Sequence, residues 1–247
     1  MKMTDYPAIN KFTEDQIMIV DGNGGTKKIT IADAILAALH MTSPTNHRLV
    51  FRGKNLGTVV TTEQLAAIQA GTFEGLWLGD YWVINGVTWR IADFDYWYNK
   101  GDTKCTKHHV VIIPDGKLSN IQMNDTATTA GGYIGSQAYT TNLATAKQAV
   151  TSAFGDSVIT HREYFVNAVT SGKPSAGTWC DSTADLPSEI MMYGHTRLGA
   201  IPSDTGTGTA ITDTIDSTQL ALFQARPEFI VTSSTWLRDI VNDKKFA

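Results

Sequence analysis

The chain has 247 residues, of which 42 % are hydrophobic and only 18 % are charged, and its formal net charge is −4. This length allows one large or two modest domains with a sizeable core, and the slight acidity argues against nucleic-acid binding. No apolar stretch reaches the roughly 18 residues of a membrane span, and the first residues lack the basic–apolar–small pattern of a secretion signal. We therefore expect neither a membrane span nor a Sec leader.

Residues 1–45 are predicted to form a separate segment for anchoring or oligomerisation, and residues 46–247 a second module. The letters "DQIMIVDGNGGTKKITI" contain a short apolar run, a Gly/Asn turn and a Thr/Ile-rich run, which predict a β-hairpin. The following "TIADAILAALH" has apolar residues at helical spacing, with Thr30 as a candidate N-cap. The letters "MTSPTNH" (41–47) favour a linker.

A helix and a ring-rich hairpin are predicted next. "TTEQLAAIQAG" (61–71) has a threonine N-cap candidate and ends at a glycine, which is typical of a short helix. In "YWVINGVTWRIADF" two β-rich runs are joined by Asn85-Gly86, a strong hairpin signal. Residues 71–98 hold four of the six tryptophans: Trp77, Trp82, Trp89 and Trp97. One face of such a hairpin must be buried, so alternating rings indicate a core.

Three consecutive rings break this alternation. Tyr96, Trp97 and Tyr98 cannot all point to the same face of a strand. We therefore predict that these three residues are exposed, and they are the candidate ligand-facing residues.

Further elements follow in the second half of the chain. "HHVVIIPDG" (108–116) reads as an apolar central strand, and residues 140–155 as a helix with one apolar side. Residues 185–194 are predicted to form a short helix. The Gly/Thr/Asp-rich residues 199–217 predict an exposed loop.

No motif predicts a cofactor or metal site. The glycines of "GNGGT" (22–26) and "GTGT" (206–209) lack the spacing of nucleotide-binding loops. Cys105, His108 and His109 lie close in sequence, but adjacent strand residues point to opposite faces, so a zinc site is not expected. The only other cysteine is Cys180, and we expect both thiols to be free.

Catalysis is not expected either. A histidine–acid constellation could be assembled from His161, Arg162, Glu163, Glu189 and His195, but any chain of this size allows that. No nucleophile elbow of the GxSxG type is present. We predict that the protein is not an enzyme; a wall hydrolase or a copper or zinc oxidoreductase is the third alternative.

A series of motifs resembles a family of virion structural proteins from phages and prophages of Gram-positive bacteria. The motifs cover about residues 50–247: "GDYWVINGVTWRIADFDYWYNKGD", "HHVVIIPD", "IQMN", "GGYIGS", "ITHREYFVNAV", "SAGTWCDSTADLPSEIMMYG", "STQLALFQARPEFI" and "TWLRDIV". The opening "DQIMIVDGNGGTKKITIADAI" resembles the N-terminal segment of phage head-fibre-like proteins.

The resemblance implies a fold and a function. The family is similar to domains of the C-type-lectin or sulfatase-modifying-factor type, which implies an α+β fold with a short N-terminal hairpin–helix segment and a compact lectin-like mixed module. It has no assigned catalytic residues. The implied function is a virion surface protein, a head fibre or capsid decoration, with other virion proteins as partners and a homotrimeric assembly. Such a protein is made in the host cytoplasm and released by lysis.

The alternative function is a tail-tip or baseplate receptor-binding protein that recognises cell-wall carbohydrate. In that reading Tyr96, Trp97 and Tyr98 would act with the 199–217 loop to offer rings and polar groups to a saccharide.

The last apolar runs predict a contact with another chain. "RPEFIVTSSTWLRDIV" (226–241) reads as strand sequence that belongs in the centre of a sheet. Relatives continue to a further "GVRP" strand, whereas this sequence stops at Ala247, so we expect an unpaired sheet edge that pairs with another chain. We predict that residues 236–247 make this contact, with Trp236 and Leu237 at its centre.

Overall fold

The computed structural model describes residues 17–20, 27–30, 44–166, 169–170, 173–174, 177–195, 218–230, 236–242 and 244–246. They combine helices with antiparallel strands, so the fold class is α+β. The chain divides into two compact units, Met1–Thr42 and Ser43–Ala247. The helix expected in "TIADAILAALH" and the 199–217 loop lie outside the described residues.

The smaller unit contains the predicted hairpin. Strand β1 (Ile17–Val20) pairs antiparallel with β2 (Lys27–Thr30), and Ile17 lies opposite Thr30. The prediction from the apolar run, turn and Thr/Ile-rich run is confirmed.

The larger unit mixes short helices and strands. Its described α-helices are α1 (Pro44–His47), α2 (Thr62–Gln69), α3 (Leu143–Phe154), α4 (Glu189–Tyr193) and α5 (Ala221–Ala225). Its described strands are β3 (Tyr81–Ile84), β4 (Val87–Phe94), β5 (Val110–Pro114), β6 (His161–Val166), β7 (Val169–Thr170), β8 (Lys173–Pro174), β9 (Gly177–Ser182), β10 (Ile240–Asn242) and β11 (Lys245–Phe246). A π-helical stretch, Ala138–Asn142, leads into α3. The helices predicted within 140–155 and 185–194 are confirmed.

A three-stranded sheet in the order β3-β4-β5 carries the ring-rich hairpin. Asn85 and Gly86 form its turn with φ of 53° and 77°, the positive values that a type I′ turn requires. The predicted hairpin is confirmed. Strand β5 exists as expected from "HHVVIIPDG", but it lies at the edge of this sheet, so the prediction of a central strand is wrong; the central strand is β4.

Helix α2 begins with a capping box. The Thr61 hydroxyl accepts from the Gln64 backbone N–H at 3.2 Å, and the Gln64 side chain accepts from the Thr61 N–H at 3.0 Å. These bonds satisfy two N–H groups that the first turn would otherwise leave unpaired. The helix predicted from "TTEQLAAIQAG" is confirmed.

Two hydrophobic clusters form the core of the larger unit. The main cluster joins the three-stranded sheet to residues of α4 and α5, and it includes Trp82, Trp89, Met191, Leu222 and Leu237. The smaller cluster is built from Met123, Tyr133, Ala138, Leu143, Phe165, Ile240 and Phe246.

The segment 41–47, expected to be a linker, is partly a structural element. Its last residues form α1, and His47 is buried, with its ring 4.4 Å from the Trp77 ring. His47 Nδ1 lies 2.6 Å from the Leu76 carbonyl oxygen. The buried ring therefore attaches α1 to the main core, and the linker prediction is wrong for these residues.

The prediction of a central strand over 226–241 is also wrong. Pro227–Phe229 forms a 3₁₀ turn directly after α5, since proline lacks the N–H that a central strand needs. Residues 231–235 lie outside the described residues. Further on, β10 pairs antiparallel with β11 in a two-stranded hairpin. Within the described part of the chain, no helix is long and apolar enough to cross a membrane.

Candidate functional site

The tryptophans of the hairpin are structural. Trp82 lies opposite Trp89 across the β3–β4 pair, and their exposures are 1 % and 2 %. Trp82 Nε1 donates to Gln64 Oε1 at 3.0 Å, so the capping residue of α2 also satisfies the buried indole N–H. The expectation that these rings form a core is confirmed.

Of the three candidate ligand-facing rings, Tyr96 is buried. It is 4 % exposed and belongs to the main hydrophobic cluster. Its hydroxyl donates to the Thr218 carbonyl oxygen at 2.7 Å, which lets the ring enter the core without leaving a polar atom unpaired. The prediction that Tyr96 is exposed is therefore wrong.

Trp97 is half-buried between two histidines. Its ring stacks on His161 at a centroid distance of 3.9 Å and lies 5.6 Å from the ring of His109. Its indole N–H donates to Glu163 Oε1 at 3.0 Å. The backbone N–H of Trp97 donates to His109 Nε2 at 3.1 Å, so His109 is neutral with its proton on Nδ1. Burial lowers the pKa of His109, which favours the same state.

Glu163 is the centre of a buried charge network. It is 1 % exposed, and its Oε2 accepts from the guanidinium of Arg238 at 3.0 Å. His161 Nε2 lies 3.1 Å from Oε1, and because a carboxylate can only accept, that nitrogen carries the proton. Burial raises the pKa of Glu163, but the charge of Arg238 and the bonds to His161 outweigh it, so the net pKa is lowered.

The alternation of strand β6 separates this network from a surface ion-pair cluster. His161 and Glu163 point inward, whereas Arg162 between them pairs with Asp102 and Asp181 at 2.7 and 2.9 Å. Of the candidate catalytic residues, His161 and Glu163 thus lie on one face of β6 and Arg162 on the other, whereas Glu189 begins α4 and His195 follows it. Glu163 accepts three hydrogen bonds from this chain, and the bond from Arg238 connects strand β6 to that residue.

Tyr98, the third candidate ring, contacts a different histidine. It is half-buried, and its ring stacks on His108 at 4.4 Å with an angle of 13° between the planes. His108 Nδ1 in turn lies 2.7 Å from Asp95 Oδ2. The prediction that Trp97 and Tyr98 are exposed is also wrong, since both are half-buried, whereas a ligand role for them stays a prediction.

A second buried polar cluster surrounds Asp185. Its carboxylate is bonded by the hydroxyls of Ser182 and Tyr133, the latter at 3.2 Å, and Lys147 Nζ lies 4.0 Å away. Burial raises the pKa of Asp185. The Tyr133 hydroxyl also accepts from the Leu186 N–H at 3.0 Å, so this cluster holds the segment before α4 in place.

The cysteines and histidines weighed as metal ligands have other roles. Both thiols are free. His108 faces Asp95, whereas His109 faces the Lys107 carbonyl and the Trp97 backbone. Within the described ranges, no group of three or more His, Cys, Asp or Glu residues could hold a metal ion.

A groove near the C-terminal hairpin holds an exposed tryptophan. Its cavity of about 300 Å³ is lined by residues 122–128, Trp236, Lys244 and Phe246. Trp236 is 39 % exposed, whereas Met123 and Phe246 are buried in the smaller core cluster and form its apolar floor. We call this feature the Trp236 groove.

The two residues predicted to contact another chain differ in position. Leu237 is 5 % exposed and packs in the main core of its own chain, and its predicted contact with another chain stays a prediction. Trp236 remains at the surface, and its predicted contact with another chain stays a prediction.

Sequence reasoning missed the groove and the Glu163–Arg238 pair. Both depend on residues far apart in the chain; the pair is separated by 75 positions. The available signal for the groove was that Trp236 lies outside the ring-rich stretch and next to polar residues. The available signal for the pair was a glutamate at an inward position of a strand, since a buried carboxylate requires a partner.

The comparisons with known proteins give no relative. No family model, no curated protein and no solved structure matches the chain.

Proposed function

We propose that the protein is a structural component of a phage virion surface, a head fibre or capsid decoration. In this proposal the smaller N-terminal unit attaches to other virion proteins and assembles as a homotrimer. The larger unit is the displayed module, with a lectin-like fold and no catalytic activity. The motif series of residues 50–247 and the opening segment support this proposal.

The observation that carries the proposal is the division of the chain after Thr42. In the smaller unit the described strands form only a two-stranded hairpin. A two-stranded hairpin in isolation is marginally stable in water and is stabilised by further strands or a packed helix, which other virion proteins would supply in this proposal. The larger unit has two hydrophobic clusters of its own. A small separate unit, joined in sequence to a large unit that has its own core, suits an attached surface protein.

The buried charges of the larger unit also support a structural role. Glu163 is bonded by Trp97, His161 and Arg238, and Asp185 by Ser182 and Tyr133. Side chains engaged in this way hold strands and segments together.

A deletion of residues 1–42 tests the proposal. The cut must precede Ser43, because α1 places His47 in the main core. We expect the shortened protein to keep its circular dichroism spectrum, to be monomeric where the full chain is trimeric, and to be absent from purified virions. The full chain with Leu49→Ala, an exposed position of the larger unit, is the matched control. Incorporation of the shortened protein at the level of the full chain would refute the proposal.

The second candidate is a tail-tip or baseplate protein that binds cell-wall carbohydrate. The Trp236 groove favours it, because an exposed aromatic ring beside polar side chains suits saccharide binding. Binding of the pure protein to host cells, compared with cells that the phage does not infect, tests this candidate. Equal binding to both cell types would contradict it.

A further inference from the structure

An exposed tryptophan has an energetic cost. A large aromatic ring that stays in water forgoes the stabilisation that burial would provide. Leu49 and Val59 are the other exposed large hydrophobic residues of the described ranges, but neither lines the groove. Trp236 therefore combines exposure with a concave site.

We propose that the Trp236 groove binds one pyranose ring of a glycan, with the indole of Trp236 as the stacking surface. This inference deepens the second candidate function and rests on it. The occupant is a neutral sugar unit with an apolar C–H face and several hydroxyl groups.

The size of the groove fits this occupant. A cavity of about 300 Å³ lies at the lower limit of small-molecule sites, so it accommodates a single ring with its substituents. The negative π face of an indole attracts the weakly positive C–H groups on the face of a sugar ring. Met123 and Phe246 provide an apolar floor beneath.

The rim supplies the hydrogen-bonding groups that a sugar needs. Gln122, Asp125 and Thr126 are exposed there and offer an amide, a carboxylate and a hydroxyl. Sugar hydroxyls both donate and accept, so they match this mixture. Asp125 and Lys244 contribute opposite charges to the lining. This balance favours a neutral ligand over a phosphate or a nucleic acid, which would require an excess of positive charge.

The loop that forms the rim is held in place before any ligand binds. The Asn124 side chain donates to the Thr128 carbonyl at 2.7 Å and accepts from the Gln137 N–H at 3.0 Å. Asn142 donates to the Gln122 carbonyl at 2.7 Å, which ties the loop to the start of α3. A loop ordered in advance loses less entropy on binding, so weak contacts suffice for measurable affinity.

Titration of the full chain with single sugars tests the proposal. The probes are the methyl glycosides of N-acetylglucosamine, glucose, galactose and rhamnose, followed by saturation-transfer NMR and tryptophan fluorescence. We expect at least one probe to bind saturably. Trp236→Ala should weaken this binding about tenfold or more, the effect of losing one aromatic stacking contact. Trp236→Phe should retain part of the affinity because it keeps an aromatic face, and Leu49→Ala should match the unmodified chain.

Three results would overturn the groove assignment. The first is that none of the four probes binds. The second is that Trp236→Ala binds sugar as well as the unmodified chain does. The third is that Trp236→Ala keeps its sugar binding and forms a smaller oligomer than the unmodified chain. The last result would identify a second copy of the chain as the occupant. The incorporation of Trp236→Ala into virions separates this test from the proposed function. If Trp236→Ala is incorporated normally and the unmodified chain binds none of the four probes, only the groove assignment is refuted. If host binding survives in Trp236→Ala, the second candidate function stands and the groove assignment is refuted.

Discussion

The hairpin tryptophans and Trp236 show two uses of the same side chain. Trp82 and Trp89 face each other across paired strands and are almost fully buried, whereas Trp236 precedes a short irregular segment and stays 39 % exposed. In a regular strand the alternation of side chains commits a ring to one face, and that face packs against the core. Trp236 is free of this constraint. Its environment, rather than its residue type, leaves it exposed.

The largest expected effect is the loss of a hairpin ring. Trp89→Ala should reduce the free energy of unfolding of the larger unit by about 3–5 kcal/mol, because it leaves a cavity in a packed core. Trp236→Ala should change it by about 0.5 kcal/mol or less, as is usual at exposed positions. Urea denaturation of both variants measures the difference. Similar losses for the two variants would contradict the distinction between a core ring and a surface ring.

Trp97 is half-buried, between the buried hairpin rings and the exposed Trp236. Its indole N–H donates to Glu163, which helps to hold the ring in place. Glu163→Gln should reduce the free energy of unfolding by about 3 kcal/mol, because it leaves the buried guanidinium of Arg238 without its counter-charge. Arg162→Gln on the outward face of the same strand is the matched control, with an expected loss of about 1 kcal/mol or less. Equal losses in urea denaturation would show that the inward network does not hold the ring.

The hairpin and the capped helix could be predicted from local sequence. Asn85-Gly86 specifies a turn with two positive φ values, and Thr61 with Gln64 specifies a helix start. These signals depend on neighbouring residues alone. The alternating pattern also predicted which hairpin rings are buried.

The edge position of β5 and the burial of Tyr96 could not be predicted from sequence in the same way. An apolar strand reads as central, but its place depends on which other strands pair with it. Tyr96 is buried because its hydroxyl reaches the Thr218 carbonyl, 122 positions away. The Trp236 groove likewise combines residues 122–128 with the C-terminal hairpin. A local sequence pattern does not show which distant residues come together in this way.

The smallest expected effect is the pH dependence of stability that Asp239 causes. Burial and the nearby charge of Glu189 raise the pKa of Asp239 to about 6, against a hydrogen bond from the Glu189 N–H that lowers it. The folded chain therefore binds more protons than the unfolded chain between about pH 4 and pH 6, so this residue makes stability fall as the pH rises through that window. Asp239→Asn removes the titration while keeping an acceptor oxygen for the Glu189 N–H.

We expect Asp239→Asn to flatten the pH dependence of the urea midpoint between pH 4 and 6, and to gain about 1 kcal/mol relative to the unmodified chain at neutral pH. Glu163 affects the pH dependence of stability in the opposite direction, because its pKa is lowered in the folded chain. Its contribution to stability is lost as the pH falls below 4.5, the ordinary pKa of a glutamate. If the urea midpoint of Asp239→Asn depends on pH in the same way as that of the unmodified chain, Asp239 is not the residue that causes the pH dependence.

The position of the protein in the virion tests the central claim most directly. Purified particles labelled with gold-conjugated antibodies against the larger unit can be imaged by electron microscopy. We expect label distributed over the capsid surface, as for a head fibre or decoration protein. Label confined to the tail tip would favour the receptor-binding candidate instead. Particles that carry no label, and that contain none of this protein by mass spectrometry, would contradict both.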